Sequence, residues 1–274
     1  MNDHEFETKL NDMIGPELLV IKSDEFESSW EAIEREVRRK KKIKTQVITG
    51  IAATITLLLG FSLFYFQPLE IKSGTDEQLT RTLSDGTTVS LNRNSTLTIA
   101  AGYNKSMRKV SLEGEGFFHV AEIKAKPFRV ETTAGSIEVR GTSFLVKAVE
   151  EATLVSVRSG QVLVKTEDQG MTLEKGQKVA LTQGKIEKRA WSSNDFAWFS
   201  RELVLDNHSL QDLSKIMEEL FLVKVEVSPA LRSCRISGKI KFDSREELQE
   251  LISGFFPVTW KKRGDTLFMA GDGC

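Results

Sequence analysis

The sequence predicts a membrane protein of several domains: a short helical head, one transmembrane helix, an all-β domain and a small α+β module. Three patterns in the 274-residue chain support this division. No charged residue occurs between residues 45 and 69, period-two alternation recurs between about 75 and 190, and helical and strand patterns alternate between 200 and 270. Helices and strands differ in hydrophobic period, so these patterns separate the domains.

The transmembrane helix is predicted over residues 45–67. Eleven of the twenty residues from 47 to 66 are Val, Ile, Leu or Phe, and a helix of that length spans ~30 Å, the thickness of the hydrocarbon core. A cleaved signal peptide fits poorly, because 44 residues precede the run and no small-x-small site follows it. A core helix is disfavoured because every face is apolar.

A cluster of basic residues precedes the span and predicts its orientation. This basic collar consists of Arg38, Arg39, Lys40, Lys41, Lys42 and Lys44. The far flank, from Gln67 to Glu70, has no such cluster. By the positive-inside rule the N-terminus is cytoplasmic and the long C-terminal part is extracytoplasmic.

The head, residues 1–44, is acidic and amphipathic. Residues 1–36 carry three Lys or Arg and eleven Asp or Glu. Phe26, Trp30, Ile33 and Val37 follow helical spacing and form an apolar stripe, which predicts a helix that continues into the span. The stripe could pack within the head or lie on the membrane, or it could bind in a groove of a cytosolic partner with basic charge.

The region 75–190 is predicted to be all-β. Alternating pairs such as Ile137 and Val139, or Val162 and Val164, recur between turn residues. The expected architecture is a sandwich or a solenoid-like (β-helix) stack. Gly86, Gly114 and Gly141 are expected to supply turns, and Phe117, Phe118 and Phe144 are expected to occupy the core.

The region 200–270 is predicted to fold as β-α-β-β-α-β-β. Ser209 and Ser244 each precede an acidic residue by three positions and an apolar helical face, which is typical of helix N-caps. The last two strand patterns flank the turn at Gly264 and predict a closing hairpin.

The sequence gives no sign of an active site. Histidine occurs only at positions 4, 119 and 208, and catalytic, nucleotide-binding and metal-binding motifs are missing. We therefore expect no enzyme activity, no metal and no cofactor. Cys234 and Cys274 could form a disulfide outside the cytoplasm, but Cys274 is the last residue, which slightly favours two free thiols.

Six segments resemble FecR-type (ferric citrate regulator-like) transmembrane anti-sigma factors. They are residues 83–92 (LSDGTTVSLN), 110–120 (VSLEGEGFFHV), 127–130 (PFRV), 139–144 (VRGTSF), 159–162 (SGQV) and 173–177 (LEKGQ). Residues 236–240 and 255–260 resemble the short N-terminal signalling module of secretins and TonB-dependent transducers, which FecR-type proteins carry at their C-terminus.

The resemblance implies a single-pass regulator of an extracytoplasmic-function sigma factor in the bacterial inner membrane, with the C-terminus in the periplasm. Its partners would be the sigma factor and the signalling domain of a TonB-dependent outer-membrane receptor. The apolar stripe would face the sigma factor. Heads in the family are usually longer, which leaves open whether this head inhibits or assists. The alternative is an envelope scaffold or glycan-binding protein anchored by its N-terminal helix.

Overall fold

The computed structural model describes residues 3–13, 23–65, 67–75, 77–105 and 107–274. They form two compact units, residues 1–66 and residues 67–274. Each unit is described separately.

The first unit is helical. Helix α1 covers Asp3–Met13 and helix α2 covers Ser23–Tyr65. The prediction that the second head helix continues into the apolar run is confirmed, because α2 is unbroken over 43 residues. Residues 14–22, between the two helices, lie outside the described residues.

The second unit begins with a β sandwich of thirteen strands. They are β1 (Leu69–Lys72), β2 (Leu79–Thr82), β3 (Thr88–Leu91), β4 (Thr96–Ile99), β5 (Arg108–His119), β6 (Phe128–Thr132), β7 (Gly135–Val139), β8 (Ser143–Val149), β9 (Ala152–Ser159), β10 (Gln161–Lys165), β11 (Gly170–Glu174), β12 (Lys178–Thr182) and β13 (Lys185–Arg189). One sheet has the order β1-β4-β5-β6-β7-β10-β11 and the other the order β2-β3-β5-β8-β9-β12-β13.

Strand β5 belongs to both sheets. Its first half pairs with β4 and β6, and its second half pairs with β3 and β8. The strand changes sheets at Gly114, which has φ +91° and no room for a Cβ, since Ser95 would lie 2.8 Å or less from it. The prediction of a turn at Gly114 was therefore wrong: glycine bends the strand there without ending it.

The sandwich core lies between the two sheets. It contains Phe118, Phe128 and Phe144 together with alternate Val, Leu and Ile residues of both sheets. The rings of Phe118 and Phe144 stack with centroids 5.2 Å apart. Of the two predicted all-β architectures, the structure has the sandwich.

A smaller α+β lobe follows the sandwich. Its elements are a 3₁₀ helix (Ser193–Phe196), α3 (Ala197–Ser200), β14 (Glu202–Ser209), α4 (Leu210–Phe221), β15 (Lys224–Val227), β16 (Arg235–Lys241), α5 (Arg245–Phe255), β17 (Thr259–Arg263) and β18 (Thr266–Ala270). Strands β14 and β16 pair with each other, and β18 lies between β15 and β17. From β14 onward the order of helices and strands matches the sequence prediction.

Both predicted N-caps are present. Ser209 Oγ accepts the Asp212 amide at 3.0 Å, and the Asp212 carboxylate accepts the Ser209 amide in return. Ser244 Oγ accepts the Glu247 amide at 3.1 Å. Each hydroxyl thus satisfies a backbone donor that the first turn of a helix leaves unpaired.

The expectation of two free thiols was wrong, because Cys234 and Cys274 form a disulfide with a Cα–Cα distance of 5.8 Å. The last residues are held in place: Ser228 donates its amide to the Met269 carbonyl at 2.9 Å and its hydroxyl to the Gly271 carbonyl at 3.0 Å. These bonds keep the C-terminal segment near Cys234, where the sequence alone suggested a frayed end.

Candidate functional site

The apolar stripe lies along one side of α2. Trp30, Ile33 and Val37 are 57%, 54% and 58% exposed. Phe26 lies on the same helix, and its side chain is outside the described side chains. The spacing i, i+4, i+7 and i+11 places all four positions on one face, and three exposed apolar side chains in a row form a surface that a partner could cover.

Ion pairs between residues about one helical turn apart lie on the other faces of α2 and extend into the collar. Glu31 pairs with Arg35 at 3.2 Å, Glu34 with Arg38 at 2.8 Å and Glu36 with Lys40 at 2.9 Å. All six side chains are exposed, so these i, i+4 pairs give the helix only weak support. Among the described residues, the remaining collar residues, Arg39, Lys41, Lys42 and Lys44, have no ion pair.

Within the described chain, one helix is long and apolar enough to cross a membrane: Trp30–Phe61 contains an 18-residue stretch with a mean hydropathy of 1.5. The threonine hydroxyl groups in this helix donate hydrogen bonds to backbone carbonyls. Thr49 and Thr56 each donate to a carbonyl one turn earlier at 2.9 Å, and Thr54 donates to the Ile51 carbonyl at 2.8 Å. Internal bonding of this kind lowers the cost of a polar side chain in lipid.

The sandwich and the α+β lobe share a hydrophobic core. Phe117 and Leu145 point away from the sandwich interior and join the core of the lobe. The ring of Phe117 stacks on Phe199 with centroids 4.1 Å apart and meets Phe196 edge-on at 6.0 Å. Arg158 covers both Phe117 and Phe196 at about 6 Å. Phe117 is therefore a core residue, as predicted, but of the lobe rather than the sandwich.

Polar contacts hold the connecting segment 193–200 from both sides. Asp195 accepts hydrogen bonds from Ser156 at 3.0 Å and Lys178 at 2.8 Å, both on the sandwich. Asn194 binds both backbone groups of Val204 on β14, at 2.8 and 3.0 Å. The segment therefore fixes the lobe to the sandwich. Sequence reasoning missed it, because two short helical turns show no periodicity.

A cleft of about 560 Å³ lies beside this junction. Glu115 lines it and accepts a hydrogen bond from Asn92 at 2.9 Å. Burial raises the pKa of Glu115, opposed by the Asn92 bond and by Lys147. Trp198 also lines the cleft, and its buried Nε1 has no hydrogen-bond acceptor in the described parts of the chain.

A buried ion pair closes one end of the sandwich. Arg108 is fully buried and donates to Asp85 at 3.0 Å and to the carbonyls of Ala121 and Lys126, each at 2.8 Å. Burial opposes ionisation of Asp85, but hydrogen bonds from Thr87 and Arg108 outweigh it and lower the pKa of the carboxyl. Asp85 belongs to the LSDGT segment, so this motif acts structurally.

No constellation for catalysis is evident in these contacts. His119 Nδ1 and Ser143 Oγ are 2.7 Å apart, but a nucleophile of this type also needs a group that orients the imidazole. No such group bonds His119 in the described structure. In residues 3–13, 23–65, 67–75, 77–105 and 107–274, no group of three or more His, Cys, Asp or Glu could hold a metal ion.

Two family models match this chain, "FecR protein" over residues 70–163 and "FecR, C-terminal" over residues 202–269. The first covers the sandwich from β1 into β10, and the second covers most of the α+β lobe. No curated protein matches.

Two crystal structures of a "putative anti-sigma factor" from Parabacteroides distasonis, at 1.65 and 2.50 Å resolution, resemble this chain. Each is 27% identical with a TM-score of 0.54, and the alignment covers 74% of this chain and 98% of that one. Together with a helix long and apolar enough to cross a membrane, these matches point to a class of regulatory proteins. The chain belongs to the FecR family, and both the family and its structural neighbours support a role in sigma factor regulation.

Proposed function

We propose that this protein is a single-pass inner-membrane regulator of an extracytoplasmic-function sigma factor, with its N-terminus in the cytoplasm and its C-terminus in the periplasm. In this proposal residues 1–44 bind the sigma factor, 45–67 cross the membrane, and 75–190 and 200–270 receive the signal. Family membership supports the class of partner, and the basic collar supports the orientation.

The observation that carries the proposal is the exposed stripe on α2. A helix that only anchors a protein needs no amphipathic extension outside the bilayer, yet Trp30, Ile33 and Val37 are more than half exposed. An amphipathic helix of this kind suits a hydrophobic groove on a folded partner. The net negative charge of residues 1–36 suits a partner with a basic surface, such as a protein that binds DNA.

In the same proposal, the periplasmic unit docks with the signalling domain of a TonB-dependent outer-membrane receptor. The support is the resemblance of residues 236–240 and 255–260 to the signalling module of such transducers. Co-purification of residues 67–274 with the N-terminal domain of the receptor encoded nearest to this gene tests the relay. Absence of binding at low and moderate salt would contradict this part of the proposal alone.

Binding of the nearest-encoded sigma factor to the full chain in detergent tests the cytoplasmic part. Truncation of a hot-spot residue, a class enriched in tryptophan, costs about 2 kcal/mol or more, so Trp30→Ala is expected to raise the Kd by ~30-fold or more if Trp30 is the centre of the contact. Arg35→Ala is the matched control: Arg35 lies opposite the stripe, and its removal opens one exposed ion pair with Glu31 and makes the head more acidic. Affinity should also fall with salt.

Equal affinities of the wild type and Trp30→Ala would refute the stripe as the contact surface. Absence of any binding, with intact protein, would favour an envelope scaffold that shares only the outer domains of the family.

A further inference from the structure

The two ends of the β sandwich are built from different loops. The end at which Leu69 starts β1 is called the entry end, and it comprises the loops 83–87, 100–107, 120–127, 140–142, 159–161 and 174–177. Pairing of Leu69 with Ile99 brings loop 100–107 to this end. The Arg108 bond to the Ala121 carbonyl and the bond between the Ile123 amide and the Arg140 carbonyl add the next loops.

The far end comprises the loops 132–135, 150–151, 165–170 and 183–184, together with the described residues 73–75, 77–78 and 92–95, since Lys72 pairs with Thr96 and Leu79 with Leu91. Thr133 donates to the Glu150 carbonyl at 2.7 Å, and Thr166 donates to the Gly184 carbonyl at 2.6 Å. Since Thr132 and Gly135 close the hairpin whose other ends pair Phe128 with Val139, the two ends are separated by the length of the strands. Five residues of strand span ~17 Å.

The two ends carry opposite charge. Basic residues of the entry-end loops are Lys105, Lys124, Lys126, Arg140 and Lys175, against exposed Glu122 and Glu174. Described acidic residues of the far-end loops are Glu77, Glu150, Glu151, Glu167 and Asp168, and the described basic residues there are Arg93 and Lys165. The sandwich therefore presents a positive surface at one end and a negative surface at the other.

The entry end also exposes large apolar side chains. Leu69 is 61% exposed and Met107 is 51% exposed. Loop 100–107 has defined internal support, because Lys126 Nζ donates to the carbonyls of Asn104 and Lys105, both at 3.1 Å. Exposed apolar side chains together with lysines are typical of protein surfaces that bind anionic lipid headgroups.

The short connection between α2 and β1 determines what can lie against the entry end. Residues 66–68 are the only residues between the end of α2 at Tyr65 and the start of β1 at Leu69. A chain of four Cα steps reaches at most ~14 Å. If the apolar part of α2 spans a bilayer, Leu69 cannot leave the headgroup region by more than that distance.

We propose that the entry end is a membrane-contact surface, with Leu69 and Met107 at the interface and the basic loops against anionic phospholipid headgroups. The acidic far end then points away from the membrane. This inference rests on the proposed transmembrane span, and it is independent of the sigma factor and the receptor. Each basic residue near an anionic surface strengthens association about fivefold, so the contact is strong only in anionic lipid.

The test uses the full chain reconstituted into vesicles of phosphatidylcholine with or without phosphatidylglycerol. A thiol-reactive fluorophore is placed by Met107→Cys and, as the control, by Val149→Cys at the far end, where Val149 is equally apolar and 50% exposed. Labelling is done without reductant, which preserves the disulfide. Headgroup-labelled quencher lipid reports contact, and carbonate extraction first establishes that the chain is inserted.

Strong quenching at position 107 and weak quenching at 149 is expected in the anionic vesicles, with loss of the difference at high salt. Lys124→Glu with Arg140→Glu should reduce quenching at 107 severalfold, since both side chains are exposed. Lys261→Glu with Lys262→Glu on β17 makes the same change in net charge and should have no effect. Equal quenching at 107 and 149 in inserted protein overturns this inference only, whereas a chain that carbonate removes overturns the span as well.

Discussion

The buried pair of Asp85 and Arg108 allows a quantitative prediction for Asp85→Asn. The substitution keeps the shape and the acceptor for the Thr87 amide, but it removes the charge that faces a guanidinium with no exposed surface. Two carbonyls remain as partners of Arg108, and neither is ionised. Breaking one half of a buried ion pair typically costs 3–5 kcal/mol, and we expect a loss of this size in the free energy of unfolding.

Residues 67–274, close to the share of the chain that the crystallised relatives cover, are suitable for the measurement. Urea unfolding followed by near-ultraviolet circular dichroism gives the free energy, and for a unit of this size the expected loss corresponds to a fall in Tm of roughly 6–20 °C. Asp168→Asn at the exposed far end is the matched control and should change stability by less than ~0.5 kcal/mol.

A double variant separates the charge effect from loss of packing. Asp85→Asn combined with Arg108→Met removes both charges, and replacement of a whole buried pair is often neutral or better. We expect the double variant to recover at least ~2 kcal/mol of the loss in the single variant. A loss below ~1 kcal/mol for Asp85→Asn, or a double variant no better than the single, would refute the argument.

Three further predictions concern the α+β lobe and its junction. Burial raises the pKa of Glu115 in the folded protein, so the free-energy cost of ionising this carboxyl is absent below the ordinary pKa of ~4.3 and grows as pH rises through the raised value. The gain in Tm from Glu115→Gln should therefore increase with pH. A gain that is constant between pH ~4 and ~8 would contradict this. The disulfide between Cys234 and Cys274 closes a loop of sequence separation 40, so its reduction should cost about 4 kcal/mol by loop entropy. Reductant should therefore lower the Tm of the wild type. It should not change the Tm of the double variant Cys234→Ser with Cys274→Ser. Phe199→Ala should cost about 2–3 kcal/mol by loss of stacking at the junction, whereas Phe255→Ala, at a side chain 65% exposed, should leave the urea midpoint unchanged.

The features that the sequence predicts well are those decided by local physics. Capping by Ser209 needs only residues three positions apart, and the long helix follows from composition. Period-two alternation identified most strands, because one face of each strand lies in a dry core. These signals require no knowledge of which elements meet in space.

The features that it missed depend on distant contacts. Phe117 and Phe118 are adjacent and equally apolar, so the sequence cannot show that one belongs to the sandwich and the other to the lobe. A glycine that bends a strand between two sheets has the same local signature as a glycine in a turn. The disulfide depends on where the last four residues lie, which Ser228 and the sheet decide. For the stripe on α2, the sequence gives the face, and its partner stays a prediction.

The shared core has a consequence for how the proposed signal would pass through residues 67–274. Two segments that match separate family models are joined by stacked aromatic rings, by the Asp195 carboxylate and by the hydrogen bonds between Asn194 and both backbone groups of Val204. In the proposed function, a receptor domain that displaces the α+β lobe therefore displaces the sandwich with it. Displacement of the lobe is transmitted to the start of β1, because the packed junction makes the lobe and the sandwich move as one body.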